Sequence, residues 1–244
     1  MELENSISKP LDENIISKVT LILPTLNEEK SLTELFPILE KNVPGIKVIV
    51  ADDGSKDNTK GVSESFQGNL DIFFLDRKNE PIHGLTVSVL HGIKITTTPY
   101  FIVMDADLQH PPTKLPEFIE RLQENNDLVV GKRVQVVNDW PFHRKVISWG
   151  ATFLGKLALI IRGRNRCSDI MSGFFGGKTE LFKKVIDEHY DEFALKGYKV
   201  LFDFLKITRQ KLKIAEVEYV FGSRHFGSSK IGFKTIWIFF KSLF

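Results

Sequence analysis

Short apolar runs alternate with stretches of helical spacing along the first half of the chain. The apolar runs predict strands at 18–23, 46–51, 70–75, 100–104 and 127–130. Hydrophobic residues spaced three and four apart predict helices over 31–41, 59–66, 85–95 and 113–123. Crossovers of helix length between strands favour parallel pairing with right-handed connections. The pattern therefore predicts an α/β fold, with a mostly parallel sheet flanked by helices.

Polar clusters follow four of these predicted strands directly. They occupy residues 24–29, 52–55, 105–112 and 131–133. One such cluster alone is most simply a polar turn or a helix cap. Ligands of an open parallel sheet, however, bind beyond the carboxyl ends of its strands. Four clusters at this one edge predict a binding site.

The cluster after the fourth strand has the pattern of a metal site. Asp105, Asp107 and Gln109 alternate along the chain, and carboxylate and amide oxygens are ligands that Mg²⁺ and Mn²⁺ accept. A cation held this way keeps positions open for phosphate oxygens and water. No glycine-rich phosphate loop of the GxGxxG or GxxxxGK[ST] type follows the first strand, which argues against those two modes of nucleotide binding. The pattern predicts a Mg²⁺ or Mn²⁺ diphosphate site.

The second half contains two segments with membrane-like character. Residues 142–161 show helical spacing, with Trp149, Phe153 and Leu157 on one side, and this pattern fits either a core helix or a helix at a membrane interface. Residues 231–244 are apolar and aromatic, and hold four of the chain's 20 phenylalanines. We expect this tail to dock at a membrane interface or to lead into membrane segments beyond it.

Composition and charge narrow the class of protein. The 244 residues, 42% of them hydrophobic, suffice for one sizeable globular domain. A net charge of +2 hides an acidic first half and basic segments at 132–166 and 193–244, which suits a cation site together with an anionic partner. The single cysteine, Cys167, and a start without a secretory pattern favour a reducing compartment.

Seven ordered motifs carry a family resemblance across residues 24–230. They read PTLNEE, ADDGSKDNT, DADLQHPP, GKR, SDIMSGFF, LKGYK and FGSRHFGSSK. Together they resemble the family 2 glycosyltransferases of the GT-A fold, and within that family the dolichol-phosphate mannose synthases. The resemblance implies metal-dependent transfer of mannose from GDP-mannose to a polyprenyl phosphate, with inversion at the sugar. It also extends to related enzymes that use UDP-glucose or another UDP-sugar.

The resemblance also implies roles for individual residues. Asp105, Asp107 and Gln109 would bind the metal, and the remaining donor and acceptor contacts would come from Pro24, Glu28, Val50, Asp52, Asp53, Ala106, Arg133, Arg144, Ser148, Asp169, Ser172, Arg224 and Lys230. Of these, Asp107, Arg133, Arg224 and Lys230 would be catalytic, with the cations meeting phosphate. Arg144 and Ser148 would contact the lipid phosphate. A membrane surface is expected as a partner, at its cytoplasmic face, and no nucleic acid.

The expected chemistry needs no catalytic histidine. A phosphate monoester is largely dianionic at neutral pH, because its second pKa is about 6, and it can attack without a general base. His110 is therefore expected to support the metal motif. A sugar-nucleotide or anionic-lipid binding protein without turnover stays open as another class of function.

The motifs divide the chain into three parts. Residues 1–17 form a polar extension, 18–230 the glycosyltransferase-like domain, and 231–244 the apolar aromatic tail.

Overall fold

A computed structural model describes residues 11–136, 142–223 and 226, excluding the side chains of 142–149 and 151. Arg224, Lys230 and the tail 231–244 lie outside the described residues, as does most of the N-terminal extension. Within that extension, Glu13–Ile16 forms a short helix, and Ile16 is buried in the core.

The described strands form one mostly parallel sheet, as predicted. They are β1 (Val19–Thr25), β2 (Lys47–Asp52), β3 (Asp71–Asp76), β4 (Tyr100–Val103), β5 (Leu128–Val136), β6 (Phe175–Lys178) and β7 (Ile214–Phe221). Their spatial order is β3-β2-β1-β4-β6-β5-β7. Only β6, among these seven strands, runs antiparallel to both of its neighbours.

Helices cover both faces of the sheet. They are α1 (Glu13–Ile16), α2 (Glu29–Asn42), α3 (Thr59–Ser65), α4 (Leu85–Ile95), α5 (Leu115–Gln123), α6 (Phe142–Ile161), α7 (Thr179–His189) and α8 (Val200–Ile207). Short 3₁₀ turns, Pro112–Lys114 and Tyr190–Glu192, precede α5 and follow α7. The bounds of α4 and α6 agree with the sequence prediction.

Alternating strand residues build a separate apolar core on each face. Along β1, Leu21 and Leu23 pack into the core beneath α2 and α5, whereas Ile22 packs into the core beneath α4, α7 and α8. All three side chains are fully buried. This double burial explains why β1 reads as a continuous apolar run, as expected of a parallel strand covered on both faces.

The fifth strand is longer than the sequence predicts. Gly131, Lys132 and Arg133 were expected in a loop after a strand that ends at Val130, but β5 continues to Val136. The reason is β7, whose residues supply hydrogen-bonding partners along this extension, including Tyr219 opposite Arg133. Arg133 is therefore fixed by a strand rather than carried by a loop.

Helix α6 presents an apolar face to solvent over the part whose side chains are described. Gly155 and Leu159 on its inner side are buried, and Gly155 lies against Ile170 and Phe202. The outer side exposes Phe153, Leu154, Leu157, Ile160 and Ile161. In the ranges 11–136 and 142–223, no helix has both the length and the apolar character to cross a bilayer.

Candidate active site

The carboxyl ends of the parallel strands lie at one edge of the sheet, and the polar clusters meet there. Thr25 at the end of β1 pairs with Asp52 at the end of β2, and Ile22 pairs with Val103 of β4. Because β6 is antiparallel, it begins at this edge and brings in the segment 169–174 that precedes it. Clusters that are far apart in sequence thus line one site.

The loop after β4 carries the two carboxylates expected to bind a metal. Asp107 is buried, and its Oδ1 accepts the backbone N–H of Gln109 at 3.1 Å. The Asp105 side chain is 35% exposed. Nε2 of Gln109 donates to the carbonyl of Gly222 at 3.2 Å, and the N–H of Gly222 donates to the carbonyl of Gln109 at 2.9 Å. These bonds fasten the loop to the residue that follows β7.

His110 supports this loop from beneath. Its Nδ1 accepts the backbone N–H of Asp105 at 3.1 Å. Its ring packs against Phe174, Tyr219 and Phe221, with centroid separations of 5.3, 5.6 and 5.5 Å. Complete burial lowers the pKa of His110 to about 4, although Asp107 acts in the opposite direction. The ring is therefore neutral at physiological pH, and it positions the loop, as the sequence predicts.

The residues of the loop fit a divalent cation that is shared with a diphosphate. In the part of the chain that the structure describes, no three His, Cys, Asp or Glu side chains cluster into a complete metal site. Two carboxylates and one amide oxygen form a small set of hard ligands, which leaves coordination positions for phosphate oxygens and water. Gly173 keeps space beside them, since a Cβ there would lie 3.3 Å from Oδ2 of Asp105.

Arg133 and Asp169 form a bidentate ion pair across the site. Nε of Arg133 lies 2.6 Å from Oδ2 of Asp169, and Nη2 lies 2.9 Å from Oδ1. Burial disfavours both charges, but their mutual hydrogen bonds outweigh it, so the pKa of Asp169 is lowered and that of Arg133 is raised. Two expected substrate contacts therefore contact each other, and the pair holds the guanidinium beside Phe221, 5.7 Å from the ring centroid.

Lys199 is a further cation at this edge, beyond the site residues predicted from the sequence. Its Nζ donates to the carbonyl of Met171 at 2.8 Å. Burial and then the charge of Arg133 lower its pKa to about 8, against the influence of Asp169 and Asp105. The motif LKGYK, which contains it, was a signal that could have identified it. Arg133 and Lys199 together supply positive charge beside the carboxylates.

Asp52 closes a turn at the end of β2. Its Oδ1 accepts the N–H groups of Gly54 and Ser55 at 3.0 and 2.8 Å. Its Oδ2 accepts the hydroxyls of Thr25, at 3.0 Å, and Ser55. This expected nucleoside ligand therefore orders the loop that would surround a nucleoside.

Asp53 is bound to Arg77, which is not among the site residues predicted from the sequence. Nη1 of the buried Arg77 donates to Oδ1 of Asp53 at 2.7 Å and to Oγ of Ser88 at 2.9 Å. Nη2 donates to the carbonyl of Ile82 at 2.9 Å. Oδ2 of Asp53 accepts the N–H of Gly84 at 2.7 Å. The visible signal was an arginine directly after an apolar strand, at the same edge as the other clusters.

The remaining donor candidates differ in exposure. Val50 and Ala106 are buried in the core, whereas Pro24 is half-buried at the end of β1. Glu28 stands at the start of α2, and its Oε2 accepts the hydroxyl of Ser31 at 2.8 Å. Ser172 is buried, and its hydroxyl closes a turn onto the backbone of Phe174.

The structure does not describe the side chains of four residues that we expect to contact phosphate. Arg144 and Ser148 lie in the first half of α6, at the positions expected for them, with side chains outside the described set. Arg224 and Lys230 lie outside the described residues altogether. Asp203, in α8, lies away from these candidates and forms an ion pair with Lys206 at 3.5 Å.

Sequence comparisons relate the chain to sugar-transferring enzymes. The family model described as Glycosyl transferase family 2 matches residues 20–186. Dolichol-phosphate mannosyltransferase of Pyrococcus furiosus is 35% identical over 233 residues, which cover 93% of this chain and 63% of that protein. The protein of the same name from Mycosarcoma maydis is 31% identical over 92% of this chain and 77% of its own length. The chain thus spans less than two thirds of its Pyrococcus relative.

Solved structures share the fold. Glucosyl-3-phosphoglycerate synthase from Mycobacterium tuberculosis, in complex with Mn²⁺, UDP and glucosyl-3-phosphoglycerate, superposes with a TM-score of 0.59 over 91% of this chain and 78% of that one. The same enzyme with phosphoglyceric acid gives a TM-score of 0.61 over 96% and 84%. Sequence identities of 18% and 16% limit this likeness to the fold.

Proposed function

Because the chain belongs to glycosyl transferase family 2, we propose that it transfers mannose from GDP-mannose to a polyprenyl phosphate such as dolichyl phosphate. The predicted GT-A type of fold, a mostly parallel seven-stranded sheet flanked by helices, is confirmed. The observation that carries the proposal is the meeting of the Asp105–Asp107 loop with the Arg133–Asp169 pair at the carboxyl edge of that sheet. Relatives named dolichol-phosphate mannosyltransferase support the choice of sugar and acceptor.

The donor would lie across the ends of β1, β2 and β4. The loops fixed by Asp52 and by the Asp53–Arg77 pair would form the nucleoside side of this site. The diphosphate would lie toward Asp105, between the metal loop and Arg133. This arrangement would put fixed positive groups where charge develops on the leaving diphosphate, and such preorganised charge is effective in catalysis.

Asp105, Asp107 and Gln109 would hold Mg²⁺ or Mn²⁺. The bound cation would supply neutralisation of the diphosphate's charge as GDP leaves. The chain's own contribution is to hold the ligands in place, through the His110 and Gly222 bonds to the loop. Gly173 leaves the Asp105 carboxylate accessible. Arg224 and Lys230 are proposed as further phosphate contacts.

The acceptor would attack without a general base. One phosphate oxygen of the polyprenyl phosphate forms a bond to the anomeric carbon, the bond from that carbon to the diphosphate oxygen breaks, and GDP leaves with the electron pair. A dianionic phosphate brings no proton that must be removed. The buried and neutral His110, with Nδ1 occupied by Asp105, is consistent with a site that has no catalytic histidine.

We also propose that the protein works at a membrane surface, on its cytoplasmic side. The exposed apolar side chains of α6 support this, since a helix with one apolar face can lie in the plane of an interface. Arg144 and Ser148 lie in the same helix, which would bring a lipid phosphate from that interface toward the site. The aromatic tail 231–244 is proposed as a second contact with the membrane.

A radiolabel transfer assay tests the proposal. Labelled GDP-mannose and UDP-glucose are each offered with a polyprenyl phosphate and Mg²⁺ or Mn²⁺, and the lipid product is extracted. Label from GDP-mannose in the lipid is the expected result. Transfer from UDP-glucose alone would replace the proposed donor, and no transfer from either would leave a binding protein without turnover.

Asp107→Ala tests the metal site in the same assay. It should reduce transfer at least a hundredfold, while Asp187→Ala, which removes an exposed carboxylate of α7, should leave transfer unchanged. Full activity of Asp107→Ala would rule out the proposed metal ligands.

A further inference from the structure

Four basic side chains line a cavity at the opposite edge of the sheet. Arg164 and Arg166 come from the turn after α6, and Arg209 and Lys211 come from the loop before β7. The cavity has a volume of about 510 Å³ and opens to solvent. None of its lining residues is acidic.

Backbone bonds hold the two halves of this basic cavity together. Helix α6 ends in a Schellman motif, in which the N–H of Arg164 donates to Leu159 at 2.8 Å and the N–H of Gly163 donates to Ile160 at 2.9 Å. Gly163 adopts the positive φ of 61° that this ending requires. The cations therefore project from an ordered turn.

Asn165 joins that turn to the second loop. Its Nδ2 donates to the carbonyl of Gln210 at 2.6 Å, and its Oδ1 accepts the N–H of Leu212 at 2.9 Å. The first bond joins Asn165, which lies between Arg164 and Arg166, to Gln210, which lies between Arg209 and Lys211, and the second bond falls directly after Lys211. The side-chain clasp thus keeps like charges close to one another.

The basic cavity is separate from the candidate active site. It lies beside Leu212 and Ile214, at the start of β7, whereas Phe221 at the end of β7 contacts Arg133 and His110. Eight residues of strand separate the two edges, which corresponds to roughly 25 Å at the usual rise per residue. The cavity therefore lies at the other end of β7 from the metal loop, and Arg166, three residues before Asp169, is its lining residue nearest to the active site in sequence.

The four cations of the cavity have no carboxylate within ion-pair distance among the described residues, 11–136 and 142–223. Nε of Arg164 is buried and has no hydrogen-bond partner. Guanidinium groups match phosphate oxygens well, in geometry and in charge.

The neighbourhood of the cavity indicates where the phosphate comes from. Ile160 and Ile161, 51% and 76% exposed, end the apolar face of α6, and Arg162 alone separates them from Gly163. The apolar face of α6 thus lies next to a cluster of cations. An anionic phospholipid presents the matching arrangement, with a charged phosphate next to apolar acyl chains. We propose that the basic cavity binds the headgroup phosphate of an anionic phospholipid while the apolar face of α6 lies among the acyl chains. This inference rests on the proposed membrane docking and is independent of the transfer reaction.

The competing explanation is local. Cations near the carboxyl end of a helix stabilise its dipole, and Arg164 and Arg166 stand just beyond α6. That explanation does not require Arg209 and Lys211, which come from a different segment and face the same cavity. It also predicts a loss of stability without any loss of vesicle binding.

Vesicle flotation with the full chain tests the proposal. The variant Arg166→Glu/Arg209→Glu/Lys211→Glu changes three exposed cations of the cavity and spares the partly buried Arg164. The control Lys41→Glu/Arg121→Glu/Lys60→Glu makes the same change of net charge on α2, α5 and α3, across the sheet. Vesicles contain phosphatidylcholine alone or with one third phosphatidylglycerol, at physiological salt, where exposed charges are screened beyond about 8 Å.

We expect the cavity variant to lose at least tenfold in apparent affinity for the anionic vesicles, with the control within about threefold of the parent chain. Affinity for neutral vesicles should be the same for all three proteins. Equal losses of affinity in both variants would show that only the net charge of the protein matters, and would overturn the proposal. Unchanged binding of the cavity variant would overturn it too.

Two further measurements distinguish phospholipid binding in the cavity from binding of a free phosphate and from the proposed transfer reaction. Glycerol 3-phosphate, titrated as a soluble probe, should not compete with the vesicles at millimolar concentration; if it displaces them, the site takes a free phosphate and the lipid assignment is wrong. Transfer to a detergent-solubilised acceptor should be unchanged in the cavity variant. A cavity variant that loses its preference for anionic vesicles but transfers sugar normally supports the inference. If the parent chain prefers anionic vesicles but shows no transfer, only the proposed reaction is refuted.

Discussion

The backbone N–H of Asp105 donates a 3.1 Å hydrogen bond to Nδ1 of His110, and this bond ties the candidate metal loop to a buried aromatic cluster. The ring must accept at Nδ1, so its proton sits on Nε2. Burial keeps the imidazole neutral, since it lowers the pKa of His110 to about 4. The histidine next to the metal motif is thus a fixed acceptor that orients a ligand-bearing backbone.

Replacing His110 by Phe should weaken metal binding. The substitution keeps an aromatic ring but leaves the N–H of Asp105 without its acceptor, a loss of about 1–3 kcal/mol. We expect the apparent Kd for Mn²⁺, measured by electron paramagnetic resonance with GDP present, to rise about tenfold. His110→Asn offers an acceptor near the position of Nδ1 and should recover part of the lost affinity for Mn²⁺. His189→Phe, at an exposed site, should have no effect.

Asp169→Asn should destabilise the chain in a pH-dependent way. The bonds from Arg133 hold the pKa of Asp169 below its ordinary value of 3.8, so the carboxylate contributes stability above that pH and loses it as the pH falls through the lowered pKa. Breaking this largely buried pair should cost about 3 kcal/mol at pH 7. Urea unfolding at pH 7 and near pH 3 should show the difference shrinking at the lower pH. A difference independent of pH would contradict the assignment to the ion pair.

Gly173→Ala should impair metal binding with little change in stability. The added methyl would lie 3.3 Å from Oδ2 of Asp105 and 3.4 Å from Cε1 of His110, which crowds the carboxylate where a cation would bind. We expect the metal concentration for half-maximal activity to rise about tenfold and the Tm to move by less than about 4 °C, equivalent to roughly 1 kcal/mol or less. Gly150→Ala, at a position in α6 with open space around its Cβ, is the control.

Arg77 and Asp53 should behave as a coupled pair in donor binding. Arg77→Met removes a buried guanidinium that contacts Asp53, Ser88 and Ile82, and should destabilise the chain by about 3 kcal/mol. It should also raise the KM for the donor. A double-mutant cycle with Asp53→Asn should yield a coupling energy above about 1 kcal/mol. Additive effects on both stability and KM would show that the pair does not organise the loop.

The exposed face of α6 should govern binding to neutral vesicles. Leu154→Gln/Leu157→Gln/Ile161→Gln removes three exposed apolar side chains, and should lower the affinity for phosphatidylcholine vesicles at least tenfold with little effect on unfolding. Phe73→Gln changes an apolar side chain on β3, 55% exposed at the far edge of the sheet, and should bind like the parent chain. Equal binding by the triple variant would show that α6 is not a membrane contact.

The pattern of the sequence predicts the parallel half of the sheet well but misses β6 and β7. Strands β1, β2 and β4 are continuous apolar runs because both of their faces are buried, whereas β3 is an apolar run at the exposed edge of the sheet. The segment FGGK of β6 has four residues and two glycines, so it lacks a periodic signal. The glycines of β6 are buried because the strand packs closely against β4: a Cβ at Gly176 would lie 2.5 Å from the carbonyl oxygen of Phe101. Without β7, the continuation of β5 through Arg133 could not be foreseen.

The residues of the site were easier to predict than their partners. The spacing of Asp105, Asp107 and Gln109 after an apolar strand predicts a metal loop, and the structure places these residues in the loop after β4. The bonds from Arg77 to Asp53, 24 residues apart, and from Arg133 to Asp169, 36 residues apart, depend on which strands are neighbours. Strand order is a property of the whole sheet, and local patterns of polarity do not encode it.

The paired bonds between Gln109 and Gly222 set a limit on how far the chain can be shortened. Gly222 is the residue directly after β7, and it is bound to the metal loop through its N–H and its carbonyl. A truncation that stops at Phe221 would keep every described strand, yet it would release one side of the loop. We expect such a fragment to fold but to bind Mn²⁺ more weakly than a fragment that ends at Gly222, so that the comparison isolates the contribution of this one residue.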